Sequence, residues 1–248
     1  MGMNPVESLS SVARTTRSTE LSVVIPFFNE APNIVPLLTE LRATLDQLGI
    51  DYEVLAVDDG SKDGTAAVIA GVAASWPALQ LVELPENCGQ ATALWRGFCD
   101  ARGAWILSLD GDRQNPPYEL TKLWVVRDSA DLITGRRARR EDSWLRRTMS
   151  RVANGVRRRL LRDGVDDSGC ALRLFRREVV GSFLPIRTLY SFLPAFAASH
   201  GWRVRQLDVE HRPRLAGQSN YGLIVMSWRP LVDMLALRWL LRRRLPRG

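Results

Sequence analysis

Histidine and cysteine are scarce: the 248 residues hold two histidines and three cysteines. Cys88, Cys99 and Cys170 are odd in number and form no C-x-x-C, so nothing points to a disulfide framework or a zinc knuckle. That usage suits a reducing cytosol. His200 and His211 are too few for a His-rich metal site, and a Ser-His-Asp triad could run only through those two. No stretch reaches the roughly 18 uninterrupted apolar residues that a transmembrane helix needs. Residues 1–18 are Ser/Thr-rich without an apolar segment, which excludes a signal peptide and predicts a disordered tail. There is no internal repeat.

What is present is an ordinary globular composition, 46% hydrophobic and 25% charged, long enough for one domain with a small appendage. The net charge of +7 and the pI near 10.0 call for an anionic partner: nucleic acid, anionic lipid or a phosphorylated substrate.

Apolar β-branched runs alternate with helical spacing. Residues 21–26 read as a buried strand. Pro32 then opens a helix that carries Leu37, Leu38, Leu41 and Leu45 and stops at Gly49. Strands at 52–57, 79–84 and 105–109 follow. Helices lie between them, one over about 64–74 with Val68, Ile69 and Val72 inward, and one opening at 87–90 and running through Phe98. Further strands are expected at 131–134, 171–175 and 204–209, and a loop at 211–221. This alternation predicts a doubly wound, mostly parallel α/β sheet, in which ligands sit beyond the carboxyl ends of the strands. Asp58-Asp59 and Asp110-Gly111-Asp112 both fall at such ends. Two carboxylates one residue apart can grip a hard divalent cation, and a cation there neutralises a diphosphate. Viewed alone, each pair could equally be a solvated turn, with Ser61 as a helix cap. Cys88 and Cys170 read as small buried fillers, since neither has a partner base.

Several segments, in one order from about residue 21 to 222, resemble the family-2 glycosyltransferases, and within them the polyprenyl-phosphate sugar synthases. They begin with Val24-Ile25-Pro26-Phe27-Phe28-Asn29-Glu30, Val57-Asp58-Asp59-Gly60-Ser61 and Asn87-Cys88-Gly89-Gln90. Next come Asp110-Gly111-Asp112-Arg113-Gln114-Asn115-Pro116-Pro117 and Thr134-Gly135-Arg136. The last are Asp167-Ser168-Gly169-Cys170 with Arg173, and His211-Arg212-Pro213-Arg214 with Gly217-Gln218-Ser219-Asn220-Tyr221. The resemblance implies a GT-A fold over 19–222, a nucleoside-diphosphate sugar donor and Mg²⁺ or Mn²⁺. It implies that Pro26, Phe28, Glu30, Val57 and Asp59 form the nucleoside pocket, with Asp110 and Gly111 at the donor. Asp110, Asp112 and Gln114 would hold the cation. Arg136, Arg151, Arg173, Arg214 and Ser219 would meet pyrophosphate or acceptor phosphate, with Asp112, Asp167 and Arg173 as catalytic residues. Asn220 stands where the family often has Lys, and Gly111 where it often has Ala.

The expected reaction is a single inverting displacement by the phosphate of a polyprenyl phosphate. That phosphate is already ionised and needs no strong general base. UDP-sugars are favoured, because residues 113–117 and 142–144 resemble the aminoarabinose-transferase type more than the mannose type; GDP-mannose stays open. Transfer to a glycan or lipopolysaccharide hydroxyl is the alternative and would need a base, with Asp167 the candidate. Asp167 could instead orient an arginine or merely cap a turn. A basic nucleic-acid-binding protein would leave the strand-end acidic pairs unexplained, so no nucleic acid is expected. Residues 223–248 are apolar and Arg-punctuated, with Trp228, Trp239 and Arg242 to Arg244. They predict an amphipathic C-terminal helical extension. With the Arg-rich stretch at 136–162, it would attach the protein peripherally to the cytoplasmic face of an anionic membrane.

Overall fold

In the computed structural model, residues 19–137, 155, 157, 159–161, 163–213 and 225–243 are described. The sequence alternation becomes β1 (Leu21–Phe27), α1 (Ala31–Leu48), β2 (Tyr52–Asp58), α2 (Thr65–Ala73), β3 (Leu79–Glu83), α3 (Gln90–Asp100) and β4 (Trp105–Ser108). Then come α4 (Leu120–Val125), β5 (Leu132–Arg137), β6 (Arg173–Arg176), α5 (Leu189–Ser199), β7 (Val204–Val209) and α6 (Val225–Arg242). The expected tail at 1–18, most of the Arg-rich stretch, Arg151, Arg214 and Ser219 lie outside the described residues.

The strands form one seven-stranded sheet in the order β3-β2-β1-β4-β6-β5-β7. β1 is buried along its whole length because both faces are covered. Leu21, Val23, Ile25 and Phe27 point into a core shared with α1, α2 and α4, whereas Val24 points into a second core under α3 and α5. Gly49, at φ 63°, ends α1 in the left-handed cap that its sequence position predicts.

Several features differ from the sequence reading. β6 runs antiparallel to both β4 and β5, so the parallel sheet is interrupted at its middle. Cys88 is exposed rather than a buried filler, because its backbone N–H is turned inward to a carboxylate; Cys170 is buried as expected. Two helices, α4 and α5, stand where the sequence pattern marks no element.

At the edge opposite the strands' carboxyl ends, Glu53 organises the chain. It accepts from Ser22 Oγ at 2.6 Å, and from the backbone N–H (2.8 Å), Nε (2.9 Å) and Nη2 (2.6 Å) of Arg102. Burial pushes this carboxyl up, but the Ser22 and Arg102 bonds outweigh it and hold Glu53 below its ordinary value. The turn before β4 is thereby tied to β1 and β2.

Candidate active site

β1, β2 and β4 all end at the same edge, and their following loops are laced together. Asp58 accepts the hydroxyl and the N–H of Ser61, so Ser61 closes its own turn and does not cap α2. Asp59 reaches the next crossover: Oδ1 accepts the Cys88 N–H and Oδ2 the Gly89 N–H, each at 2.8 Å. A Cβ on Gly60, at φ 67°, would stand 2.5 Å from the Glu86 carbonyl carbon, so only glycine lets the two loops close this tightly. Burial raises the Asp59 pKa, the two N–H bonds oppose that, and Asp58 adds to it. On the neighbouring side, Asn29 accepts the Lys62 N–H and donates its own N–H to Ser61 Oγ. Glu30 accepts from the Asn33 amide.

The residues expected to line a nucleoside pocket therefore divide. Pro26, near the end of β1, and Phe28, Glu30 and Asp59 on the adjoining loops stand at this edge. The side chain of Val57 turns away into the core beneath α3, and Asp59 spends both oxygens on the 88–89 backbone.

After β4, Asp110, Gly111, Asp112 and Gln114 form one turn. Asp110 Oδ1 accepts from Gln90 Nε2 at 2.8 Å, and Asp112 Oδ1 accepts the Gln114 N–H at 3.1 Å. Asp112 is buried. Gly111 lies against Phe27, where a Cβ would be 2.5 Å from the ring. Among the described residues no group of three or more His, Cys, Asp and Glu could hold a metal ion. The turn offers two carboxylates and an amide oxygen instead. Such hard oxygen donors fit a divalent cation that takes its remaining ligands from an anionic substrate.

Arg173, the first residue of β6, pairs across the sheet with Ser108 and is fully enclosed. Its Nη2 donates to the Ser168 carbonyl at 2.8 Å, and its Nε finds no partner among the described residues. Burial pulls this guanidinium down to about 10; Cys170, Asp110 and Asp167 support its charge, and Arg157 opposes it. It remains a cation at neutral pH, set behind the acidic turn.

Asp167 is gripped by Arg137, through Nε at 2.8 Å and Nη2 at 2.7 Å, and its Oδ1 also accepts the Gly169 N–H. A Cβ on Gly169 would lie 2.5 Å from Arg137 Nη2, so the glycine makes room for the guanidinium. Nearby, Arg157 and Asp163 form a buried ion pair. Arg136 points to the surface and is forked by Asp208 on β7, with Asp166 at 3.5 Å.

The sequence reading thus named Asp110, Asp112, Gln114, Asp167 and Arg173 around one edge, and missed what holds them. Gln90 lay in a quoted motif without a role, whereas Arg137 had only its neighbour Arg136 to draw attention to it.

A doubly wound sheet with an acidic turn at the end of β4 is the arrangement of a GT-A glycosyltransferase fold. Residues 22–183 match glycosyl transferase family 2, and the chain belongs to that family. It is 37% identical over 206 residues to undecaprenyl-phosphate 4-deoxy-4-formamido-L-arabinose transferase of Aeromonas hydrophila, covering 82% of this chain and 63% of that protein. The enzyme of the same name from Serratia proteamaculans is 35% identical over 208 residues, 83% and 64% of the two chains. The chain thus spans less than two thirds of the length of these relatives. Among solved structures, mannosyl-3-phosphoglycerate synthase from Rubrobacter xylanophilus superposes with a TM-score of 0.68 at 21% identity, over 92% of this chain and 76% of that one. A mannosyltransferase from Pyrobaculum calidifontis in complex with GDP-Man and Mn²⁺ gives 0.63 at 22%, over 94% and 66%. These likenesses establish the GT-A fold.

Proposed function

We propose that this protein is an inverting glycosyltransferase that moves a sugar from a nucleoside-diphosphate sugar to a polyprenyl phosphate. The observation that carries the reading is the pairing of Asp167. With its carboxylate spent on Arg137 and Gly169, the one candidate base for a hydroxyl acceptor is already engaged. A phosphate monoester needs no such base, because it is ionised near neutral pH. The formamidoarabinose transferase relatives, named for undecaprenyl phosphate, support the same acceptor.

Asp110, Asp112 and Gln114 would hold Mg²⁺ or Mn²⁺, which would offset diphosphate charge and ease departure of the nucleoside diphosphate. Gln90 orients Asp110, and Arg173 supplies a fixed positive charge behind the turn. The chain's contribution is positioning and charge neutralisation in a partly desolvated site. Phe28, Glu30 and the loop clamped by Asp59 would seat the nucleoside, with a UDP-sugar favoured over GDP-mannose. Arg136, Arg151, Arg214 and Ser219 would serve the phosphates; Arg136 would have to exchange Asp208 for the ligand.

No helix of the described residues is long and apolar enough to cross a membrane. Met234 and Leu237 of α6 dock on the core beneath α3 and α5, while Val232, Leu235, Trp239 and Leu240 face outward. Arg243 lies over Trp239, its guanidinium 4.8 Å from the ring. This outward face would lie on the cytoplasmic surface of an anionic membrane, where the lipid acceptor resides.

The donor is tested by titrating UDP- and GDP-sugars with and without Mn²⁺. Binding of UDP-sugars that requires the metal supports the reading; equal binding in EDTA contradicts it.

A further inference from the structure

The loop after β2 and the turn after β4 are joined through the first residue of α3. Asp59 holds the entry to that helix, its two oxygens accepting the Cys88 and Gly89 N–H groups at 2.8 Å each. The Gly89 carbonyl accepts in turn from the N–H groups of Thr92, at 2.9 Å, and Ala93, at 3.2 Å. Thr92 Oγ1 donates to the Cys88 carbonyl at 3.0 Å. Gln90 therefore leaves a backbone that is fixed on both sides, and its Nε2 reaches across to Asp110 Oδ1 at 2.8 Å. Phe27 gives the two segments a common floor. Its carbonyl accepts the Asp59 N–H at 2.8 Å, and its ring lies against Gly111.

The Gln90 bond bears on cation binding in two ways. A carboxylate on a turn can rotate about its side-chain bonds, and seating a cation on it costs that freedom. A donor held on Oδ1 removes part of the freedom beforehand. The donor is also an amide, which adds no positive charge, so Asp110 keeps its own charge for a cation. Gln90 and Asp110 are both half-buried, outside the two hydrophobic cores, so the bond can be removed without opening either core.

We infer that Gln90 is a positioning residue that carries the set of the Asp59 clamp to the Asp110 carboxylate, so that the nucleoside loop and the cation turn act as one unit. The inference rests on the proposed cation site and deepens it, since it makes cation affinity depend on Asp59, a residue whose own bonds go to positions 88 and 89. Gln90 exerts this role through Asp110.

The test compares the intact protein with Gln90→Met, Asp59→Asn and the double variant. Gln90→Met keeps the length of the side chain and removes the donor. Mn²⁺ Kd is read from the electron paramagnetic resonance of free Mn²⁺, with no nucleotide present, and hydrogen exchange is followed at the Gln114 N–H, which bonds Asp112 within the turn. Gln90→Met should raise the Mn²⁺ Kd about tenfold, the equivalent of ~1.4 kcal/mol, with no change in melting temperature. Asp59→Asn should raise it too. The double variant should be no worse than the poorer single, because both cut one relay. An unchanged Mn²⁺ Kd in either single variant, or effects that add, would overturn the inference. The cation site itself is judged on the unmodified protein. If that protein binds no Mn²⁺, the cation reading fails, and exchange then decides the relay alone. Faster exchange of the Gln114 N–H in Gln90→Met would uphold it, and unchanged exchange would overturn it. The same readout decides should Asp59→Asn fail to fold.

Discussion

Arg137 holds Asp167 through three donors, its backbone N–H at 3.2 Å, Nε at 2.8 Å and Nη2 at 2.7 Å, with both side chains largely buried. This converts a candidate base into an anchor for the turn that leads to Arg173. Asp167→Asn should therefore weaken the fold, by about 3–5 kcal/mol for a buried ion pair broken on one side. Thermal unfolding checks this. The activity that survives should keep its pH profile, because no proton transfer through Asp167 is lost.

Asp112→Asn should lower transfer about a thousandfold, ~4 kcal/mol of transition-state stabilisation, while the melting temperature stays close to that of the parent. EDTA should have the same effect and Mn²⁺ should reverse it. Steady-state rates alongside thermal unfolding separate loss of a cation ligand from loss of fold.

Asp59→Asn places an amide NH₂ against the N–H of Cys88 or Gly89, where a carboxylate oxygen now accepts. One partly buried donor loses its partner, which costs about 0.5–1.5 kcal/mol. Donor affinity should fall with it, since the loops on both sides of the nucleoside edge are joined there. Calorimetric titration of nucleotide reads the affinity and denaturant unfolding the stability.

Glu53 predicts the acid limb of stability. Its folded-state pKa lies below the ordinary value of 4.5, so its contribution is fully present above that value and is lost as pH falls through the lower, folded one. The melting temperature of the parent should drop below about pH 4.5 more steeply than that of Glu53→Gln, which starts lower and titrates less. Parallel slopes would mean that another carboxylate governs the acid limb.

On α6 the apolar face and the docked face are separable. Leu235→Glu with Trp239→Glu changes two exposed residues and leaves Met234 and Leu237 in the core. Flotation with anionic liposomes should be lost, since the removal of two exposed apolar side chains and the repulsion of two new carboxylates both act against binding. Donor affinity should not change.

Local pattern made most of the fold legible. β1 comes within a residue of expectation because a buried β-branched run has sharp ends, β7 keeps its expected bounds, and Gly49 marks the end of α1. α5 carries Leu189, Phe192, Leu193, Phe196 and Pro194, all buried, so no polar face announced a helix. The reversal of β6 is a property of how distant segments meet, and a four-residue strand carries no sign of direction. The same holds within the site. The acidic turn was readable because its members are neighbours in sequence. The bonds from Asp59 to Gly89 and from Arg137 to Asp167 each join residues 30 positions apart, beyond the reach of spacing arguments.

The central claim is that the attacking atom is a phosphate oxygen. The most direct measurement is mass spectrometry of the lipid phase after incubation with UDP-sugar, Mn²⁺ and polyprenyl phosphate, set beside the same reaction with polyprenol and with soluble glycan hydroxyls. The account predicts a glycosyl phosphate product from polyprenyl phosphate alone, released as free sugar by mild acid. Product from the hydroxyl acceptors, with polyprenyl phosphate left unmodified, would contradict it.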